Sequence, residues 1–108
     1  MQPSYPIERR KDVRNSLRLP VSVKLAATEM SARSENISAS GILLSSDFLI
    51  PEGSAVELAV DDARMPEPGF LLTARGRVLR VQPQTSGKFA IAVSCDHPFR
   101  IMRRSPKA

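Results

Sequence analysis

Apolar and polar residues alternate with a period of two through much of the middle of the chain. Val21, Val23 and Leu25 share one parity while Ser22 and Lys24 share the other, which is typical of a half-buried β-strand. Nine prolines break the chain into short segments and argue against long helices. The pattern predicts six strands, at 21–27, about 31–37, 42–46, 55–61, 70–82 and 88–95. Gly76, inside the fifth of these, predicts a bulge or bend.

Six short strands in a chain of 108 residues must bury their apolar faces against one another. A closed or nearly closed barrel does this and removes exposed edges. We therefore predict an all-β fold, a six-stranded antiparallel β-barrel over residues 18–97. Residues 1–17 are expected to form a flexible, arginine-rich N-terminal arm. Residues 98–108 are expected to form a short helical turn, capped by Asp96 and packed through Phe99 and Met102, and then a basic tail.

The basic charge is concentrated at the two ends of the chain. Residues 1–25 carry six basic and two acidic side chains, residues 26–96 carry six and nine, and residues 97–108 carry four and none. A barrel that binds nucleic acid needs positive charge on its folded surface and aromatic platforms for the bases. Here the middle is mildly acidic and the four phenylalanines are expected in the core. The distribution favours a small anion as the ligand and leaves nucleic-acid binding as the weaker alternative.

Catalytic and metal-binding groups are sparse. Cys95 is the single cysteine and His97 the single histidine, so neither a disulfide within the chain nor a Cys/His metal site is expected. No nucleophile with a base and no carboxylate pair can be assembled, and we expect no enzymatic activity. No apolar run approaches the roughly 18 to 20 residues of a membrane span, and the first ten residues lack a signal-peptide core. We expect a cytoplasmic protein that begins at its own methionine.

Two short polar motifs carry the chemistry. The segment "RRKDVR" places Arg10 and Arg14 four residues apart, with Arg9 immediately before them. The arginine side chain offers a planar fork of donors that binds phosphate or the O6 and N7 acceptors of guanine. About twenty residues later, "NISASG" places Asn36, Ser38 and Gly41 ahead of an apolar triplet. Each motif alone is a weak signal, but the two together, in register with the strand pattern, are specific.

The pair of motifs resembles the PilZ domain, a receptor module for the bacterial second messenger cyclic di-GMP. That family is recognised by RxxxR followed by [D/N]xSxxG, which Arg10, Arg14, Asn36, Ser38 and Gly41 match. The flanking segments "RLPVSVKL", "GILL" and "GKFAIAVSC" also resemble the family, so the similarity extends from about residue 8 to about residue 97. The resemblance implies a six-stranded antiparallel barrel with the arginines on an N-terminal segment and the second motif on a barrel loop.

The resemblance also implies a role for each motif residue. Arg10 and Arg14 would hold phosphate and guanine acceptors, Asn36 and Ser38 would meet the polar edge of a guanine, and Gly41 would let the backbone approach or turn. In this family a basic residue before RxxxR favours a stacked pair of cyclic di-GMP molecules, and Arg9 stands there. Asn36 occupies a position where many members have Asp, so weaker binding is expected because a neutral amide accepts weaker bonds than a carboxylate.

The expected mechanism is a ligand-ordered arm. Phosphates would neutralise the arginines, the arm would dock on the barrel, and the new surface would be recognised by a downstream protein partner. The alternative is a PilZ-fold interaction module that does not bind cyclic di-GMP. The pathway served by the receptor is left open by the sequence.

Overall fold

The computed structural model describes residues 18–61 and 70–103, and every regular element in these ranges is a β-strand. The strands are β1 (Pro20–Leu25), β2 (Thr28–Ile37), β3 (Gly41–Ser46), β4 (Ala55–Val60), β5 (Phe70–Pro83), β6 (Phe89–Cys95) and β7 (Arg100–Arg103). The first six correspond to the six predicted strands, although β1 ends two residues earlier and β2 begins about three residues earlier than predicted. The predicted arm, residues 1–17, and the end of the basic tail lie outside the described residues.

The first six strands close into an antiparallel barrel. Hydrogen-bonded neighbours follow the order β4-β1-β2-β3-β6-β5, and pairing of β4 with β5 completes the circle. The all-β barrel predicted from the sequence is therefore confirmed. The helical turn expected from Pro98 is wrong, because residues 100–103 form β7 and pair with β5 from Phe70↔Arg103 to Thr73↔Arg100.

The core is formed by alternate residues of all six barrel strands. Val23, Leu44, Val60 and Ile91 are fully buried at its centre. Two polar side chains of the described ranges, Ser34 and Ser46, are also buried, and both are hydrogen bonded. The core thus follows the rule that buried polar groups find partners.

The phenylalanines do not all lie in the core as expected. Phe89 and Phe99 pack against it, and Phe70 is half buried beneath the guanidinium of Arg103. Phe48, however, is 55% exposed in the connection between β3 and β4. Within residues 18–61 and 70–103, no helix is long and apolar enough to cross a membrane.

The bulge of β5 does not lie at Gly76, the position predicted for a bulge or bend. The register of β5 against β6 shifts between Val78 and Arg80, so the extra residue is Leu79. At Gly76 a Cβ atom would lie 2.3 Å from the carbonyl oxygen of Ser94. Glycine is required there because the backbones of β5 and β6 approach closely.

Candidate functional site

A β-bulge in β2 turns the second motif toward the outside of the barrel. The register of β2 against β3 shifts between Ser34 and Asn36, which leaves Glu35 as the extra residue. Before the bulge the even-numbered residues point inward, and Ser34 is fully buried. After it the odd-numbered Ile37 packs against the core. A one-residue shift exchanges the two faces of a strand, so Asn36 and Ser38 lie on the outer surface.

A second bulge, in β5, turns the side chain of Arg80 toward the outside of the barrel. Val78 is buried before Leu79, and Val81 packs against the core after it. In a regular strand, Arg80 would share the inward face with Val78, because the two residues are two positions apart. Because Leu79 is bulged, the Arg80 side chain is instead exposed on the outer surface. Among the described residues, no carboxylate lies within ion-pair distance of this guanidinium.

The two bulges face each other across β3 and β6. Asn36 is paired with Leu43, Leu43 with Ala92, and Ala92 with Arg80. Adjacent strands lie about 4.8 Å apart, so this row spans about 14 Å of barrel surface. A pocket of ≈ 380 Å³ opens over the row, and Asn36, Ser38, Gly41 and Arg80 all line it. The structure therefore brings the three residues of the second motif together and adds Arg80.

The loop that carries Ser38 is fixed at both ends. The Ser38 amide donates to the carbonyl of Gly41 at 2.9 Å, and the Ser38 hydroxyl donates to the same oxygen at 3.3 Å. The Cys95 amide donates to the carbonyl of Ser40 at 2.8 Å, which ties the loop to β6. Because the Ser38 hydroxyl uses its hydrogen internally, its oxygen is oriented to accept a hydrogen bond from a ligand.

Gly41 allows β3 to lie unusually close to β6. A Cβ atom at this position would be 2.6 Å from the carbonyl oxygen of Val93, far inside van der Waals contact. Its neighbours on the outer surface, Ala92 and Ser94, are also small. The side chains around Gly41 on β6 are consequently small, and a planar ring system can approach the backbone there.

The chain enters the barrel beside this pocket. The Leu19 amide donates to Ser34 Oγ at 3.0 Å, and the Ser34 amide donates to the Leu19 carbonyl at 2.9 Å. Arg18 Nε lies 3.4 Å from Glu35 Oε1, so residue 18 is held beside the bulge that precedes Asn36. Arg9, Arg10 and Arg14 lie outside the described residues, and their predicted roles stay predictions.

Comparison with known proteins agrees with the motif and the fold. The family model of the PilZ domain matches residues 8–105. The chain belongs to the PilZ domain family. The solved structure of the Bacillus subtilis inhibitor of motility, MotI/DgrA, matches 83% of this PilZ chain with a TM-score of 0.66 and 25% sequence identity. This chain corresponds to 44% of that protein's chain, less than half of it. The comparison with curated proteins found no match.

Cys95 lines the pocket of this PilZ barrel but is not suited to covalent chemistry. Burial, and then the negative charge of Asp96, raise the pKa of its thiol to about 11. The thiol therefore stays protonated near neutral pH, and only the thiolate is a good nucleophile. Within the described part of the chain, no group of three or more His, Cys, Asp or Glu side chains is placed to hold a metal ion.

Arg80 is the PilZ pocket residue that sequence reasoning missed. The second motif ends at Gly41, whereas Arg80 reaches the pocket only through the pairing of β5 with β6. A signal was present, because the core residues Val78 and Val81 are three positions apart and so break the two-residue period. Such a break within a strand indicates a bulge and a change of face.

Proposed function

We propose that this PilZ domain is a receptor for cyclic di-GMP, bound as a stacked pair over the pocket between the two bulges. The observation that carries the proposal is the convergence of the second motif on this pocket, next to the point where the N-terminal segment enters the barrel. The proposed ligand contacts are Arg9, Arg10, Arg14, Asn36, Ser38 and Gly41, with Arg80 as an addition.

Chain length supports a shared site for both motifs. Arg14 is four residues and Arg10 eight residues before Arg18, which lies beside Glu35. An extended chain spans at most about 3.5 Å per residue, so the two arginine backbones can lie up to about 14 and 28 Å from this anchor. The pocket over Asn36 and Arg80 can be reached from this anchor within both distances.

The pocket chemistry fits a ligand that combines purines with phosphates. The Asn36 amide oxygen and the Ser38 hydroxyl oxygen can accept hydrogen bonds from guanine N–H groups. Arg80, opposite Asn36, offers donors for a phosphate or for guanine O6 and N7. The small residues Gly41, Ala92 and Ser94 leave room for a guanine ring. These features support binding of the nucleotide, and none of them is a catalytic group.

Titration calorimetry with cyclic di-GMP tests the proposal. We expect saturable binding near two ligands per chain, with no binding of GTP or cyclic AMP. The Arg10→Ala, Arg14→Ala double variant should bind at least about a hundredfold more weakly, because each arginine contributes about 1.5 to 3 kcal/mol of charge-assisted bonding. Arg75→Ala is the matched control, since this exposed arginine of β5 does not line the pocket. Absence of binding by the wild-type chain would overturn the proposal.

The stoichiometry is tested separately through Arg9. If Arg9 supports the stacked pair, Arg9→Leu should reduce the calorimetric stoichiometry toward one ligand per chain while binding is retained. Two ligands per chain in this variant would contradict the role of Arg9 and leave the receptor proposal standing.

The signal is proposed to pass to a downstream protein partner in the cytoplasm through docking of the N-terminal segment. Ligand phosphates would neutralise Arg10 and Arg14 and let residues 1–17 pack against the barrel. Hydrogen exchange of the full chain should then show protection of residues 1–17 when cyclic di-GMP is added. Equal exchange with and without ligand would rule out this mechanism.

A further inference from the structure

Strand β7 is the terminal strand of the described sheet. In the described part of the chain each of the six barrel strands has a neighbour on both sides, whereas β7 pairs with β5 alone. In an antiparallel pair, alternate residues direct their N–H and C=O groups away from the partner strand. The outer side of β7 therefore offers backbone donors and acceptors that can receive another strand.

The side chains of β7 are exposed and mix two apolar residues with two cations. Ile101 is 62% and Met102 51% exposed, and Arg100 and Arg103 are exposed on either side of them. Neither arginine makes an ion pair with a carboxylate of the described residues. Arg103 lies over the Phe70 ring, 5.7 Å from its centroid, which holds its charge beside the strand. The edge is thus apolar in its centre and positive at both ends.

The groove beside β7 is positive on the side of that strand. The groove, of ≈ 950 Å³, runs along the outer surface, and Arg100 and Arg103 line its β7 side. Arg75 of β5 lines it directly opposite Glu57 of β4, and Lys24 of β1 directly opposite Glu29 of β2. Arg100 and Arg103, by contrast, stand opposite Thr73 and Phe70, so no cross-strand carboxylate offsets their charge.

The same charges oppose pairing of β7 with a second copy of itself. Antiparallel self-pairing in the register that joins Ile101 to Met102 would place Arg100 of one copy opposite Arg103 of the other. Like charges directly opposite across two strands are destabilising. Arginines at both ends of an exposed apolar edge thus discourage self-association and leave the edge for an oppositely charged segment.

We propose that the free edge of β7 is a docking site for an extended, acidic segment of a partner protein, which adds to the sheet as a further strand. The best-matched segment has two apolar residues between two acidic ones, so that each carboxylate faces Arg100 or Arg103. This site does not depend on the nucleotide pocket, and its test does not depend on nucleotide binding.

The test uses the full, ¹⁵N-labelled chain and two blocked hexapeptides, Thr-Glu-Val-Val-Glu-Thr and Thr-Lys-Val-Val-Lys-Thr. The acidic peptide should shift the amide resonances of residues 100–103 and of their partners 70–73 saturably. The basic peptide should bind about tenfold more weakly or worse, because two attractive cross-strand pairs become repulsive. The Arg100→Glu, Arg103→Glu double variant should reverse this preference. The substituted side chains are exposed, so the barrel should tolerate the change. The amide resonances of this variant outside β7 and residues 70–73 report whether the barrel is intact.

Three outcomes would overturn the proposal. The first is the absence of saturable shifts in residues 100–103 with the acidic peptide at millimolar concentration. The second is an equal response to the acidic and basic peptides in the wild-type chain. The third is concentration-dependent self-association of the wild-type chain that the double variant abolishes, which would make the edge a contact between copies. Titration with cyclic di-GMP in parallel reports on the nucleotide pocket independently.

Discussion

Replacing Gly41 with alanine should destabilise the barrel at the floor of the pocket that Asn36 and Arg80 line. The added Cβ would lie 2.6 Å from Val93 O, whereas ordinary contact begins near 3.4 Å, so β3 and β6 must separate by about 0.8 Å. Overpacking of this kind costs about 1 to 3 kcal/mol. The separation also weakens the 2.8 Å hydrogen bond from the Cys95 amide to Ser40, which contributes about 1 kcal/mol. The free energy of unfolding should fall by about 2 to 4 kcal/mol.

Thermal and urea unfolding followed by circular dichroism measure this change. A loss of about 2 to 4 kcal/mol corresponds to a Tm lower by roughly 10 to 30 °C in a domain of this size. Gly87→Ala is the control, because Gly87 has φ +89° and a Cβ there would meet no atom within 4 Å. That variant is strained only by its left-handed backbone, at about 1 to 2 kcal/mol. If Gly41→Ala is no less stable than Gly87→Ala, contact with Val93 is not what requires glycine at this position.

Three further predictions concern the residues around the pocket. Arg80→Ala should weaken cyclic di-GMP binding about 10- to 150-fold in calorimetry, through loss of a charge-assisted bond; unchanged affinity would remove Arg80 from the site. Asn36→Asp should tighten binding about 2- to 30-fold, because a carboxylate accepts stronger bonds from guanine, and weaker binding would contradict the assigned contact. The pKa of the Cys95 thiol is raised from 9.0 to about 11 in the folded chain. Between pH 9 and 11 the unfolded chain loses this proton while the folded chain keeps it, so the free energy of unfolding falls over that range. Cys95→Ala should therefore lose less stability than wild type over that range in urea unfolding, and parallel curves would refute this.

The barrel strands could be predicted because apolar core residues alternate with polar ones within each strand. Val21 and Val23, or Ile91 and Val93, are spaced two apart and point into one core, so the sequence indicates both strand and face. From Pro98 onward the local sequence pattern predicted a helical turn, which is wrong. Asp96, Pro98 and Met102 match the start of a short helix, yet β5 has 14 residues and β6 only 7. The first residues of β5 thus lack a β6 partner on that side, and β7 takes the position.

The site could be predicted only where its residues are close in sequence. Asn36, Ser38 and Gly41 belong to one hairpin, and their spacing identifies them. Arg80 is brought opposite Asn36 by three successive strand pairings, which no local pattern records. The outward orientation of Asn36 was equally hidden, because it depends on the bulge at Glu35.

The two bulges let an outward-facing segment follow a part of the strand with the opposite parity. Removal of Glu35 would make Ser34 and Asn36 neighbours, restore regular alternation in β2 and leave Asn36 outside. If Glu35 instead took a regular place in the strand, Asn36 would turn inward with Ser34, and the motif would be intact in sequence but face the core. The geometry of one bulge therefore separates a PilZ barrel whose signature faces outward from one that has kept the signature without that orientation. A match to the signature acquires structural meaning only together with the parity of the core residues on either side of it.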